Sequence, residues 1–189
     1  FGLSYGAPQT RDAYAVTQAE AYSTQSGTQV EATSDTGGGQ NVGFIAPGDW
    51  LAYANVDFGS PTATSVTTRR ASGSTATGTI QYRLDSTTGP IIASVPVSNT
   101  GGWQSWGSVT TTLSGSATGV HTVFVTFTGS GGDFVNLNWF QFARTGTTRN
   151  PYVVTQAESF SSQSGTQLET TSDTGGGQNV GWIAPGDWL

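Results

Sequence analysis

The 189 residues carry 12 acidic side chains against six basic ones, all arginine, for a net charge of −6, with one His and no Cys. That balance excludes a nucleic-acid backbone or an anionic membrane as partner, and the single His without Cys excludes disulfides, thiol catalysis and histidine- or thiolate-based metal clusters. Only 10% of residues are charged while 27 are Gly, so solubility rests on Ser, Thr, Asn and Gln, as in an all-β chain of short strands and tight turns.

In chain order, residues 1–12 (FGLSYGAPQTRD) read as linker or the end of an upstream domain, without the residue order of an export signal. Any such signal is expected outside this chain. A strand is predicted over 15–20, followed by a glycine-rich turn that ends at Phe44. Further strands are predicted over 49–58, 77–85, 90–97, 103–113, 120–128 and 134–143; the second of these alternates around Ile80, Tyr82 and Leu84. Spacers such as STTG, SNTGG, SGSATG and GSGG separate them in the rhythm of an antiparallel β-sandwich. No stretch approaches the roughly 18 apolar residues of a membrane-spanning helix.

Residues 13–51 recur at 151–189 with 31 of 39 positions identical, including SDTGGGQNVG and IAPGDWL; the aromatic between these two blocks changes from Phe44 to Trp182. A period of domain size marks a tandem array. The expected organisation is a complete domain over 13–143, a linker over 144–150, and the opening part of a second copy over 151–189. This last segment lacks the later strands, so it cannot build a core alone. It is expected to dock on the first domain, to exchange with a neighbouring chain, or to be completed by further chain.

Catalytic chemistry finds little support. His121 stands alone within a predicted strand and reads as structural, which leaves no Ser-His-Asp arrangement. Glycoside hydrolysis needs two opposed carboxyls, one held protonated. Glu20, Glu31, Asp35, Asp49, Asp57, Asp85 and Asp133 supply the residue type, but Asp35, Asp57, Asp85 and Asp133 sit beside turn residues, where Asp serves local backbone hydrogen bonds. TGGGQNVG lacks the Lys and the helix of a phosphate loop. Phe44 and Trp103, each preceded by Gly, would instead stand on loops beside strand ends. Flat rings cover the apolar face of a sugar while Asn, Gln and carboxylates take its hydroxyl edge.

The order QAEAYSTQSGTQVEATSDTGGGQNVGFIAPGDWLAY, SNTGGWQSW, GGDFVNLNWFQF over residues 14–143, beginning again at 152, resembles the family 6 carbohydrate-binding modules. The resemblance implies an all-β antiparallel sandwich of jelly-roll type, attached to secreted bacterial glycoside hydrolases. Two aromatics would clamp a sugar ring: Phe44, commonly Tyr in relatives, and Trp103. Glu31 and Asn136 would bond hydroxyls with help from Ser34, and Glu169 and Trp182 correspond in the second copy. A second site on the sheet face would use Trp50, though Thr24 and Arg83 stand where Gln and Glu are expected. A structural Ca²⁺ would be held by Gln18, Glu20 and Asn138, the last often Asp in relatives. The implied function is non-catalytic binding of a neutral polysaccharide, of β-glucan or xylan type, that targets a linked hydrolase outside this chain. The alternatives are a cell-surface adhesion module whose aromatics contact protein, or a hydrolase in its own right.

Overall fold

The computed structural model describes residues 10–144, 157, 162–172 and 177–188. The chain divides into two units, Phe1–Thr145 and Gly146–Leu189.

The first unit is a β-sandwich. Its strands are β1 (Arg11–Asp12), β2 (Thr17–Gln18), β3 (Thr24–Ser26), β4 (Gln29–Ala32), β5 (Gln40–Ile45), β6 (Trp50–Asp57), β7 (Ser65–Ser72), β8 (Gly78–Leu84), β9 (Ile91–Val97), β10 (Gly102–Thr112), β11 (Val120–Gly129) and β12 (Val135–Ala143). One sheet runs β1-β6-β11-β8-β9 with β3 also on β6; the other runs β10-β7-β12-β5-β4 with β2 also on β12. Every pairing is antiparallel except the two-residue contact of β1 with β6. Arg11 and Asp12, read from sequence as linker, therefore belong to a sheet edge. Arg144, expected in the linker, lies 4.4 Å from the Tyr14 ring centre.

The core lies between the sheets, where alternation sends one face of each strand inward. Tyr53 and Tyr82 from the first sheet meet Phe140 and Phe142 from the second in edge-to-face contacts: Tyr53–Phe140 at 5.0 Å, Tyr82–Phe140 at 5.3 Å and Tyr82–Phe142 at 5.7 Å. Both phenols are fully buried and both are satisfied. Tyr53 donates to the Ala19 carbonyl at 2.7 Å, and Tyr82 shares a 2.7 Å bond with Thr68. Burial pushes both phenolic pKa values up.

Other elements also differ from the sequence reading, which covered none of β3, β4 and β5 with a strand. The predicted strand over 15–20 stops at Gln18, and Ala19–Ala21 form a 3-10 turn, which places Glu20 on a turn packed toward β5 and β12. Strand β7, which no prediction covered, lies inside the second sheet, between β10 and β12.

In the second unit, β13 (Gln167–Thr170) and β14 (Gln178–Gly181) form an antiparallel hairpin. Its described residues hold no hydrophobic core: Ile183 is 68% exposed, whereas its counterpart Ile45 in the first unit is fully buried. The predicted linker beyond Arg144 lies outside the described residues.

Candidate functional site

Glu31, Phe44, Trp103, Asp133 and Asn136 line one cleft of about 260 Å³. Four of these were expected together from the sequence, and the fold supplies a reason for each position.

Phe44 lies within β5, not on a loop, and its backbone takes a left-handed φ of 55°. A bulky residue rarely adopts that conformation, which costs of order 1 kcal/mol and concentrates at functional sites. Here it turns the ring outward between buried Gly43 and buried Ile45, leaving Phe44 49% exposed. Trp103 opens β10 and is 40% exposed. The loop that delivers it is fastened to the end of β7: Thr100 N donates to the Ser72 carbonyl at 2.8 Å, Ser72 N to Thr100 Oγ1 at 2.8 Å, and Asn99 Nδ2 to the Ser74 carbonyl at 2.9 Å. Buried Arg70 donates from Nη1 to the Ser98 carbonyl at 3.2 Å, and desolvation lowers its pKa. Gly73 lets the Trp103 ring lie against the backbone, since a Cβ there would stand 2.9 Å from Trp103 Cδ1.

Between the rings sits a hydrogen-bonded floor. Glu31 Oε1 accepts from Asn136 Nδ2 at 2.6 Å, Asn41 Nδ2 at 3.0 Å and Gln104 Nε2 at 3.4 Å. Asn136 Nδ2 also donates to the Trp103 carbonyl at 2.9 Å. These bonds use one carboxylate oxygen and the amide nitrogen, so Glu31 Oε2 and Asn136 Oδ1 are the acceptors left to meet a hydroxyl. Gly43 is needed for the approach: a Cβ on it would come within 2.8 Å of Glu31 Oε1 and 3.0 Å of Asn136 Oδ1. Gly43→Ala is expected to displace both side chains and weaken ligand binding at least about tenfold. The unfolding midpoint should stay nearly unchanged; titration calorimetry beside a thermal melt separates the two effects.

Gln104 was not foreseen. Its Oε1 accepts from Ser34 N at 2.8 Å and Trp106 Nε1 at 3.2 Å, with longer contacts to Thr33 Oγ1 and Ser34 Oγ at 3.3 Å. It ties the glycine loop to the cleft floor, and through it Ser34 joins the site's edge. The signal available was strand alternation in WQSW, which puts Gln104 on one face with Trp106.

Asp35 also departs from its turn-residue reading. Its carboxylate accepts from Thr36 N at 2.9 Å, as a turn Asp does, but it is buried and takes a bidentate contact from Arg69, Nε to Oδ2 at 2.8 Å and Nη2 to Oδ1 at 2.6 Å. Asn138 Nδ2 adds a 2.6 Å bond to Oδ2. The Arg69 contact foremost, despite opposing desolvation, lowers the Asp35 pKa to about 2. Asp85, also read as a turn residue, instead reaches across to His121 Nδ1 at 2.8 Å and Thr122 N at 3.1 Å, so His121 has a structural partner as expected. Asp57 does bond locally, to Gly59 N at 2.8 Å.

The remaining predicted residues lie elsewhere. Trp50 is on β6 in the other sheet, its ring 5.7 Å from that of Phe124, while Arg83 is held by the Gly89 carbonyl and Gln81 Oε1. Gln18 pairs with Trp139, the neighbour of Asn138. Among the described residues no three His, Cys, Asp or Glu side chains gather into a metal cluster. In the second unit the hairpin repeats part of the cleft: Asn179 Nδ2 donates to Glu169 Oε1 at 3.2 Å, and Trp182 has a φ of 58° and is 73% exposed.

Two exposed rings above a floor of amide and carboxylate acceptors describe a surface suited to holding a sugar. The model of the carbohydrate binding module (family 6) matches residues 18–144 and 156–189. The chain belongs to the family 6 carbohydrate-binding modules. Modules of this family bind without catalysing, so no catalytic residue is assigned. An endo-1,4-β-xylanase A of Thermoclostridium stercorarium is 34% identical over 187 residues, a match covering 95% of this chain and 35% of the xylanase. The chain thus spans about a third of the length of that curated relative. Among solved structures, a β-1,3-glucan-binding module from Bacillus halodurans is 42% identical with a TM-score of 0.68, covering 71% of this chain and 99% of that one. A Clostridium cellulolyticum module in complex with xylose is 43% identical with a TM-score of 0.66, covering 71% and 100%. No helix of the module is long and apolar enough to cross a membrane, among the described residues.

Proposed function

We propose that the cleft binds a neutral polysaccharide of β-glucan or xylan type and so holds a linked, secreted glycoside hydrolase on its substrate. The observation that carries this reading is the pairing of half-exposed Phe44 and Trp103 across the acceptors Glu31 Oε2 and Asn136 Oδ1. Phe44 and Trp103 stack on the sugar faces, Glu31 and Asn136 accept its hydroxyls, and Ser34 borders the ligand. The xylanase, glucan-binding and xylose-bound relatives point to these two glycan types. Phe44 offers no phenolic donor, so stacking area dominates at that end. Affinity electrophoresis across laminarin, mixed-linkage glucan, xylan, cellulose and agarose tests the assignment: retardation by laminarin or xylan supports it, and retardation by none of the five overturns it.

Glu169 and Trp182 offer a second, weaker or differently selective contact, and tethering two modules raises avidity by roughly 10² to 10⁴ where the geometry allows. A sheet-face site at Trp50 lacks its expected polar partners.

Gln18, Glu20 and Asn138 fit a structural Ca²⁺. Glu20 Oε2 is buried without a hydrogen-bond partner, and Asn138, whose nitrogen is committed to Asp35, keeps its amide oxygen. One carboxylate and two amide oxygens are a hard-cation donor set. Saturating Ca²⁺ is expected to raise the melting temperature by about 5 °C or more over a chelated sample. Glu20→Gln should erase that difference.

A further inference from the structure

We propose that Asp133, acting with Glu31, makes the cleft reject uronic acids, so that Asp133 determines specificity for uncharged sugars. The inference rests on the carbohydrate-binding reading of this cleft and assigns a role to a side chain that reading does not use.

The position of Asp133 is built into the fold. Gly131, with φ of 94°, turns the chain between β11 and β12, and the next anchor is Phe134, fully buried and 6.4 Å from the Phe127 ring. Phe134 N donates to the Ile45 carbonyl at 3.0 Å, which fixes the adjoining Asp133 beside the strand that carries Phe44. There the Asp133 side chain lines the cleft and has no hydrogen-bond or ion-pair partner among the described residues.

The charge balance around it points one way. Asp35 is neutralised by Arg69, whereas Glu31 is held only by neutral amides and Asp133 by nothing. No described arginine lines the cleft. Arg69 is held by Asp35, Arg70 by the Ser98 carbonyl and Arg83 by Gly89 and Gln81; Arg144 lies over Tyr14, and Arg11 stands on β1 at the edge of the other sheet. The cleft therefore presents two carboxylates and no cation to its ligand. A space of this volume is roughly 8 Å across, about one Debye length in physiological salt, so a carboxylate on a bound sugar is not fully screened from either. At roughly 7 Å in a water-like dielectric each like charge weakens binding about threefold, and the two together about tenfold. Hydroxyls meet no such penalty, because a carboxylate accepts from them.

The test uses laminarin- and xylan-derived oligosaccharides in three forms: neutral, carrying a uronic acid, and carrying the methyl ester of that acid, which keeps the bulk and removes the charge. Calorimetry with the whole chain is expected to find the acid bound about tenfold more weakly than its ester at low ionic strength. The gap should shrink to about twofold in 0.5 M NaCl. Asp133→Asn should narrow the low-salt gap about threefold, and Asp133→Glu should keep it. Equal affinity for acid and ester overturns the proposal, as does a gap that Asp133→Asn leaves unmoved or that Asp133→Glu moves equally. Failure of both neutral series to bind would overturn the binding reading itself and the selection inference with it.

Discussion

Replacing Trp103 by Ala is expected to abolish retention of the module in a gel that carries its glycan, with a loss of at least about 2 kcal/mol, or some 30-fold in affinity. The ring is 40% exposed, supplies one wall of the cleft, and lies on a strand end fastened to β7 by three hydrogen bonds around Ser72 and Ser74. Truncation removes the stacking plane without touching the core. An unchanged melting curve beside lost retention identifies a contact residue; normal retention would show that the glycan binds elsewhere. Phe44→Ala should be weaker in effect on the sugar, and because Ala keeps the Cβ that disfavours a left-handed φ, the backbone strain stays while binding falls.

Asp35→Asn is expected to lower stability by about 2 kcal/mol at neutral pH, the free-energy equivalent of depressing a carboxyl from 3.8 to about 2. The Asp35 side chain is 4% exposed, which keeps solvent from eroding that value. Because the folded pKa lies below the unfolded one, the contribution is complete above about pH 4. It fades as pH falls from about 4 to 2, where the folded carboxyl takes up its proton. Denaturant midpoints for the unmutated chain and the variant should therefore differ at pH 7 and converge near pH 2. A gap that stays constant across this range would mean that Asp35 acts by packing alone. Since Asp35 sits at the head of the glycine loop next to Ser34, the variant should also loosen the edge of the cleft and weaken binding modestly.

Most strands could be read from the sequence because their inward positions are apolar in alternation, as at Ile80, Tyr82 and Leu84. Strand β7 could not. Its inward residues Val66, Thr68, Arg70 and Ser72 mix one aliphatic with three polar groups, and their burial is possible only because the fold provides partners: Tyr82 for Thr68, the Ser98 carbonyl for Arg70, the Phe134 carbonyl for Ser72. Those partners lie 14 to 62 residues away, beyond any local pattern. The cleft shows the same division. Phe44, Trp103, Glu31 and Asn136 were legible through their motifs, whereas Asp133 and Gln104 acquire meaning from neighbours that only the sheets bring close. Asp35 misled because a single turn bond to Thr36 is what its sequence setting advertises, and the larger interaction with Arg69 spans 34 residues.

The left-handed posture of Phe44 in β5 recurs at Trp182. Phe44 and Trp182 take φ values of 55° and 58° in the same ten-residue surroundings, so two rings of different size occupy one backbone posture. The strand acts as a pedestal whose shape does not depend on what it displays. Evolution can exchange the ring at this position, and with it the breadth of the sugar platform, without re-solving the fold beneath.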